Sequence, residues 1–396
     1  MFNRIVTNIY LRKVILFLCQ ITSYINMLIP KHDKWVLFYE SVDSELHDNS
    51  RSIYNYMRRN KPEYKYFICA SNVTKNRHLS STDTKVIGQF KGVLYFLLCK
   101  YCFYSYASLR IKPSKKQVVI NLWHGTPLKV IGNLSKDKIN KGENMNMFSY
   151  LLATSDFFAP IMKQAFGCDD NQILICGHAR TDELFEHISN PYLDEIRKFK
   201  KAIIWMPTFR MSNDQRHKDL GENYDYSHSE TLLPIFDKYS DLQQLDTYCK
   251  EQNILIVIKA HSLAKINHIN LGNIWLINDG DLEKNNLSLY QLISQFDALI
   301  TDYSSVFFDF LLLDRPIGFT IDDISLYQNA RGFTVKNALE FMPGHCIKTM
   351  QAFYEFIQDV IAEKDLYHQD RKRINDLCNR YQDNHNCQRL LEQLGL

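Results

Sequence analysis

The chain lacks a glycine-rich phosphate cradle: it contains no Gly-x-Gly-x-x-Gly run and no Walker-type Gly-x-x-x-x-Gly-Lys-Ser/Thr run. Dehydrogenase and P-loop ATPase readings therefore lose their support. Paired cysteines are also missing. The 10 cysteines are scattered, and the one close pair, Cys99 and Cys102, lies in an apolar segment with no second pair. This pattern fits buried thiols in a reducing compartment and offers neither a zinc site nor a disulfide framework. Charge of one sign is scarce, at a net +3, so no nucleic-acid partner is expected. Finally, no apolar run reaches the ~20 residues of a membrane span. Val14 to Pro30 carries no charge, but Gln20, Thr22, Ser23 and Asn26 interrupt it. No small-residue cleavage site of the secretory type stands out. Two readings of residues 1–30 stand: a helix lying in the cytoplasmic leaflet, helped by Arg4, Arg12 and Lys13, or a core helix.

What is present is a long alternation of strands and helices. At 396 residues, 45% of them hydrophobic, the chain exceeds what one core holds, and two domains are expected. In the first half, Lys34–Glu40, Lys65–Ala70, Gln117–Trp123, Leu151–Ser155 and Ile173–Gly177 read as strands, with a helix over Ser50–Arg59. Phe90 to Leu109 is dense in Leu, Phe, Tyr and Cys, and Arg110, Lys112, Lys115 and Lys116 follow it. Such aromatic surface beside basic residues suits anionic lipid or an anionic polymer, and core packing explains the aromatics equally well. The polar segment Glu183–Lys201 reads as the inter-domain connection. The second half repeats the pattern with strands at Ala202–Met206, Ile254–Ile258 and Ile274–Ile277, and helices at Ile235–Cys249 and Leu287–Ser294. Residues 211–228 read as a loop or lid. Around Ala298–Pro316 a strand, a tight turn and a helix from Val306 follow one another, with Ser304 or Ser305 as the natural N-cap. The expected division is 1–30, 31–198, 199–350 and 351–396. The last part holds helices over Thr349–Lys364 and Asp370–Leu394.

Chemistry gathers where these strands end. His124 follows one strand directly and is a candidate acid/base group, against the alternative of a structural histidine. Gly125 lets a ligand approach the backbone there. In the second half, Arg210, Lys259, His261 and the Ser304/Ser305 helix terminus all stand at strand carboxyl ends, where anionic ligands bind in open α/β sheets. Two doubly wound domains with phosphate-compatible groups describe a transferase using a nucleotide-diphosphate donor. Asp279-Gly280-Asp281 and Asp322-Asp323 have the form of metal-binding acidic pairs, but both fall where turns place Asp and Gly anyway. No metal is expected to be needed for the chemistry, so no cofactor is required beyond the substrate.

Trp123-His124-Gly125-Thr126-Pro127-Leu128-Lys129 and Thr301-Asp302-Tyr303-Ser304-Ser305-Val306-Phe307-Phe308-Asp309 resemble motifs of the CDP-glycerol:poly(glycerophosphate) glycerophosphotransferase family. Pro207-Thr208-Phe209-Arg210, Arg331-Gly332-Phe333 and Pro343-Gly344 match in the same order. The resemblance implies an α/β GT-B fold, with two Rossmann-like domains facing across a cleft and a C-terminal helix crossing back. It implies transfer of a polyol phosphate from CDP-glycerol or CDP-ribitol to a hydroxyl of a polyol-phosphate or lipid-linked glycan acceptor. CMP would be released, at the cytoplasmic face of the membrane. His124 would be the general base. His261 would be the second catalytic residue, holding the pyrophosphate and easing the departure of CMP together with Arg210 and the Ser304/Ser305 amides. Lys259, Gly125 and Thr126 would bind the donor phosphates, with Asp302 orienting a neighbour or binding donor, and Arg331 is a further donor-side candidate. Ser262 stands where the family often has proline. Gly177-His178-Ala179-Arg180-Thr181-Asp182 replaces Gly-x-Pro-Arg-Asn-Asp, which leaves the donor-binding roles of Arg180 and Asp182 open. A glycosyltransferase using a nucleotide sugar and an inactive membrane scaffold are the remaining alternatives.

Overall fold

The computed structural model describes residues 9–40, 46–106, 109–135, 145–207, 229–259, 271–330 and 332–396. Two compact units account for them. One comprises the described parts of 1–124, 137–182 and 384–396, the other those of 125–136 and 183–383.

The first unit is built on β1 (His32–Tyr39), β2 (Lys65–Cys69), β3 (Thr84–Ile87), β4 (Cys99–Tyr104), β5 (Val118–Asn121), β6 (Tyr150–Ala153) and β7 (Ile173–Ile175). All pair in parallel, in the order β3-β2-β1-β4-β5-β6-β7. The second unit holds β8 (Lys201–Trp205), β9 (Ile254–Lys259), β10 (Ile274–Ile277), β11 (Ala298–Thr301), β12 (Ile317–Thr320) and β13 (His345–Ile347). Its order is β10-β9-β8-β11-β12-β13, again all parallel. Covered on both faces, such strands are continuous apolar runs, as in Val36-Leu37-Phe38 and Ile254-Leu255-Ile256-Val257-Ile258, all fully buried. Each sheet reverses its winding once, between β1 and β4 and between β8 and β11. Ligands bind beside the strand ends at such reversals.

The segment Phe90–Leu109, left unassigned from its composition, divides into the helix Gln89–Leu98 and strand β4. The expected connection Glu183–Lys201 belongs to the second unit. Glu186 accepts from Gln291, Asn190 donates to the Asn285 carbonyl, and Arg197 reaches Gln295. The chain therefore changes unit at Asp182, ahead of the expected break at 198.

The C-terminal part divides too. Met350–Ile361 stays in the second unit, with Phe353, Phe356 and Ile357 packed around Trp205 and Phe236. His368–Cys378 stays with it, through Arg371 to Asp314 and Asp365 and through Asn379 to the Phe308 carbonyl. The helix expected over Asp370–Leu394 breaks after Cys378, and only residues 384–396 return to the first unit. There Leu390 and Leu391 of the helix Asn386–Gln393 join the core beside Ile53 and Cys176.

The helix Ile9–Leu28 packs the other way round from a core helix. Two of its polar residues face the protein: fully buried Asn26 donates to the Lys112 carbonyl and the Gln117 amide oxygen, and Ser23 accepts from the Lys112 amide, while Gln20 is exposed. Val14, Phe17, Leu18, Ile21, Tyr24, Ile25 and Leu28 point outward, with Phe17 61% exposed. The core-helix reading is thereby corrected. No described helix is long and apolar enough to cross a membrane.

Candidate functional site

In the first unit the carboxyl ends of β4 and β5 lie side by side and carry Ser105-Tyr106 and Leu122-Trp123-His124. Trp123 adopts a left-handed conformation (φ 54°), which turns the chain as it leaves the sheet. His124 Nδ1 lies 3.2 Å from the Ser105 carbonyl oxygen. A carbonyl only accepts, so Nδ1 carries the proton and Nε2 presents the lone pair. The imidazole stacks on Tyr106 (centroids 4.6 Å apart, 14° between planes) and packs against Trp123 at 4.0 Å. Burial lowers its pKa from the ordinary histidine value, as does Arg180, while the Ser105 hydrogen bond and Asp48 act in the opposite sense. The ring is neutral at physiological pH, as a general base requires.

Arg180 is brought to this place: its Nη1 donates to the His124 carbonyl oxygen at 3.1 Å and lies 3.6 Å from Asp48 Oδ2. Asp182 is turned elsewhere. Its carboxylate accepts from the amides of Asn386 (2.9 Å) and Cys387 (2.8 Å), so it caps the C-terminal helix. These contacts give Asp182 a structural duty at the start of that helix.

Reading from sequence missed the start of the helix Asp48–Asn60. Asp48 accepts from the Tyr106 hydroxyl at 2.5 Å. Fully buried Asn49 donates to the Trp123 carbonyl (2.9 Å) and accepts from the Arg180 amide (3.1 Å). Ser50 bonds the Ser105 hydroxyl at 2.9 Å. Three short polar residues opening an amphipathic helix, after the first strand, were the available signal.

In the second unit, the residues after His124 are held by the segment following Gly332. Gly125 (φ 141°) opens a stretch in which Val130 donates to the Gly332 carbonyl, Thr334 donates to the Leu128 carbonyl, and Lys129 pairs with Phe333. Lys129 Nζ also sits 5.3 Å above the Tyr327 ring, and Tyr327 stacks on Tyr303. Thr126 is buried. Gly332 and Phe333 thus act as a clamp on the Gly125–Lys129 segment. Arg331, Arg210, His261, Ser262 and the expected lid 211–228 lie outside the described residues.

Asp302, Ser304 and Ser305 follow β11 at the winding reversal. Asp302 is fully buried, and Tyr303 donates to Asp323 at 2.7 Å. Ser305 is the N-cap of Val306–Phe310 but has helical dihedrals and makes no side-chain cap bond, so the expected hydroxyl cap is corrected. The helix spans 5 residues before tightening into a 3₁₀ turn, and Asp309 within it accepts from the Tyr290 hydroxyl at 2.5 Å. Lys259 ends β9 paired with Asp279 at 2.9 Å, and Asp281 accepts from the Asn278 amide at the start of the next helix. Both carboxylates of the Asp-x-Asp stretch thus have partners within the protein, Asp279 at the surface. Among the described residues no group of three or more His, Cys, Asp or Glu is arranged to hold a metal ion.

Comparison with known proteins agrees with this architecture. A teichoic acid poly(glycerol phosphate) polymerase of Bacillus spizizenii is 29% identical over 83% of this chain and 84% of its own length. A teichoic acid ribitol-phosphate primase of the same organism is 27% identical, over 91% and 90%. The solved structure of the wall teichoic acid polymerase TagF superposes with a TM-score of 0.73 at 24% identity, covering 99% of this chain and 95% of that one, a likeness of fold. The expected α/β chain of GT-B type, with two doubly wound units, therefore stands. The family model for CDP-glycerol:poly(glycerophosphate) glycerophosphotransferases matches residues 21–395, and the chain belongs to that family.

Proposed function

We propose that this enzyme transfers glycerol phosphate from CDP-glycerol to a hydroxyl of a polyol-phosphate acceptor in teichoic acid synthesis, with His124 as the general base. The observation that carries the assignment is the His124 imidazole, held neutral by burial with Nδ1–H directed at the Ser105 carbonyl and Nε2 left as the basic nitrogen. In the reaction the acceptor oxygen attacks the phosphorus that bears glycerol. A new O–P bond forms, the pyrophosphate P–O bond breaks with its electron pair leaving on CMP, and the hydroxyl proton passes to Nε2. Such a transfer asks mainly for positioning and for stabilised phosphate charge. We assign the second task to Arg210, Lys259, His261, Gly125, Thr126 and the backbone at Ser304-Ser305, with Asp302 and Arg331 on the donor side. No metal is given a part in this reading; the phosphate charge is left to these cations and amides.

The acceptor in this reading is membrane-linked, and the enzyme is peripheral to the cytoplasmic leaflet. The outward apolar face of Ile9–Leu28, anchored to the protein by its polar side, supports this, as do Phe90 at 97% exposure and nearby exposed Lys112, Lys115 and Lys116. A second reading replaces glycerol by ribitol, and the ribitol-phosphate primase among the relatives favours it. CMP release measured side by side from CDP-glycerol and CDP-ribitol, with and without a glycerol-phosphate primer and in the presence of EDTA, decides. Release from CDP-glycerol supports the proposal, release from CDP-ribitol alone the second reading. Silence with both donors overturns both.

A further inference from the structure

The contacts around His124 form a closed circuit that no catalytic role yet covers. The ring rests on Tyr106, the Tyr106 hydroxyl donates to Asp48 Oδ2 at 2.5 Å, Arg180 Nη1 lies 3.6 Å from the same oxygen, and that Nη1 donates to the His124 carbonyl at 3.1 Å. Ring and main chain of one residue are thus fixed to one carboxylate from two sides. The carboxylate itself stands at a constrained place, the first residue of the helix Asp48–Asn60, with a left-handed φ of 46°. Its neighbours reinforce the hold, Asn49 on the Trp123 carbonyl and Ser50 on Ser105, the residue whose carbonyl accepts from Nδ1–H. A core needing only to be filled here would be served by apolar side chains; a buried polar circuit specifies one geometry.

We propose that Asp48 and Tyr106 are positioning residues for His124, holding the imidazole plane and its Nδ1–H tautomer so that Nε2 is presented to the acceptor hydroxyl. This rests on His124 being the base. The groups facing the ring are Tyr106 after β4, Asp48 at the helix start and Arg180 beyond β7, with His178 held next in line by Asn49 and His47 beside Asp48. Burial pushes the Asp48 carboxyl up, but Arg180 and the Tyr106 hydroxyl outweigh it, and the group stays ionised. Its charge opposes that of Arg180 at His124.

Two variants separate positioning from packing. Tyr106→Phe keeps the stack and the Asp48 charge but frees the ring from its anchor; kcat should fall about 10- to 100-fold with KM nearly unchanged. Asp48→Asn removes the charge as well, leaving Arg180 unopposed, so the acid limb of the kcat/KM profile should also move to lower pH. Spectra of 15N-histidine-labelled protein, with His124 assigned by substitution, should show one Nδ1–H tautomer in the wild type and a mixture in both variants. If Asp48→Asn does not fold, Tyr106→Phe decides alone. Wild-type kcat and an unchanged tautomer in the folded variants overturn the proposal. If the wild type releases no CMP from either donor, the functional reading falls, and the tautomer spectra still decide the positioning.

Discussion

Asp182→Ala tests whether that carboxylate serves substrate or scaffold. In the structure it accepts from two backbone amides, of Asn386 at 2.9 Å and Cys387 at 2.8 Å, that begin the helix Asn386–Gln393. Losing a helix cap costs about 1 kcal/mol and up to about 2. A hydrogen bond to a charged acceptor is worth about 1.5–3 kcal/mol. Water reaches a terminal helix turn after local opening and recovers part of this, so a net loss of about 2 kcal/mol for docking of residues 384–396 is expected. At 1.36 kcal/mol per tenfold, this is about a 30-fold drop in amide protection. Hydrogen exchange followed on a peptide covering 384–396 reads it directly, and fast exchange should be confined to that segment and to its seat beside Ile53 and Cys176. The KM for the CDP-linked donor should remain within about twofold of wild type. Unchanged exchange together with a severalfold rise in donor KM would refute the capping assignment and return Asp182 to the substrate.

Two further predictions concern the ring and the outward helix. Because burial lowers the His124 pKa, the acid limb of kcat/KM should lie below the ordinary histidine value of about 6.5. The unfolded chain takes up that proton first, so the stability linked to the neutral ring is full above about pH 6.5 and is lost as pH falls toward the lower folded pKa. A limb above 7 would contradict the assignment. For the helix, Phe17→Ser with Ile21→Ser should weaken sedimentation with phosphatidylglycerol vesicles by at least about tenfold, since burying one such side chain is worth about 1.5–3 kcal/mol. CMP release from a soluble donor and primer should be unaffected, and equal vesicle binding by the double variant would show that this face does not meet lipid.

Much of the fold was legible because its strands are covered on both faces. Tyr66–Ala70, Ile254–Ile258 and Ala298–Ile300 announce themselves as unbroken apolar runs, and the residues after them fall at strand ends by construction. His124 could be placed in this way. Less visible were strands and helices sharing one apolar segment, such as Gln89–Leu98 and β4, where no periodicity separates the two. Side-chain direction was not legible at all. Asp182, Asp279, Asp281 and Ser305 have the right types for a phosphate or metal site. Yet Asp182 and Asp281 accept from helix-start amides, Asp279 faces Lys259, and Ser305 caps nothing with its hydroxyl. Conversely, Asp48, Asn49 and Tyr106 look ordinary in sequence. Their importance arises only when β4, β5 and the helix Asp48–Asn60 bring distant residues together around one imidazole.

The proposed transfer depends most on Nε2 of His124 taking the proton of the acceptor hydroxyl. Steady-state CMP release by His124→Ala beside the wild type, with saturating CDP-glycerol and a glycerol-phosphate primer, tests this directly. A positioned general base contributes about 10²–10⁴ in rate, so kcat should fall by at least about 100-fold while donor KM stays close to wild type. A His124→Ala enzyme that keeps kcat within a few-fold of wild type would show that another group accepts the proton.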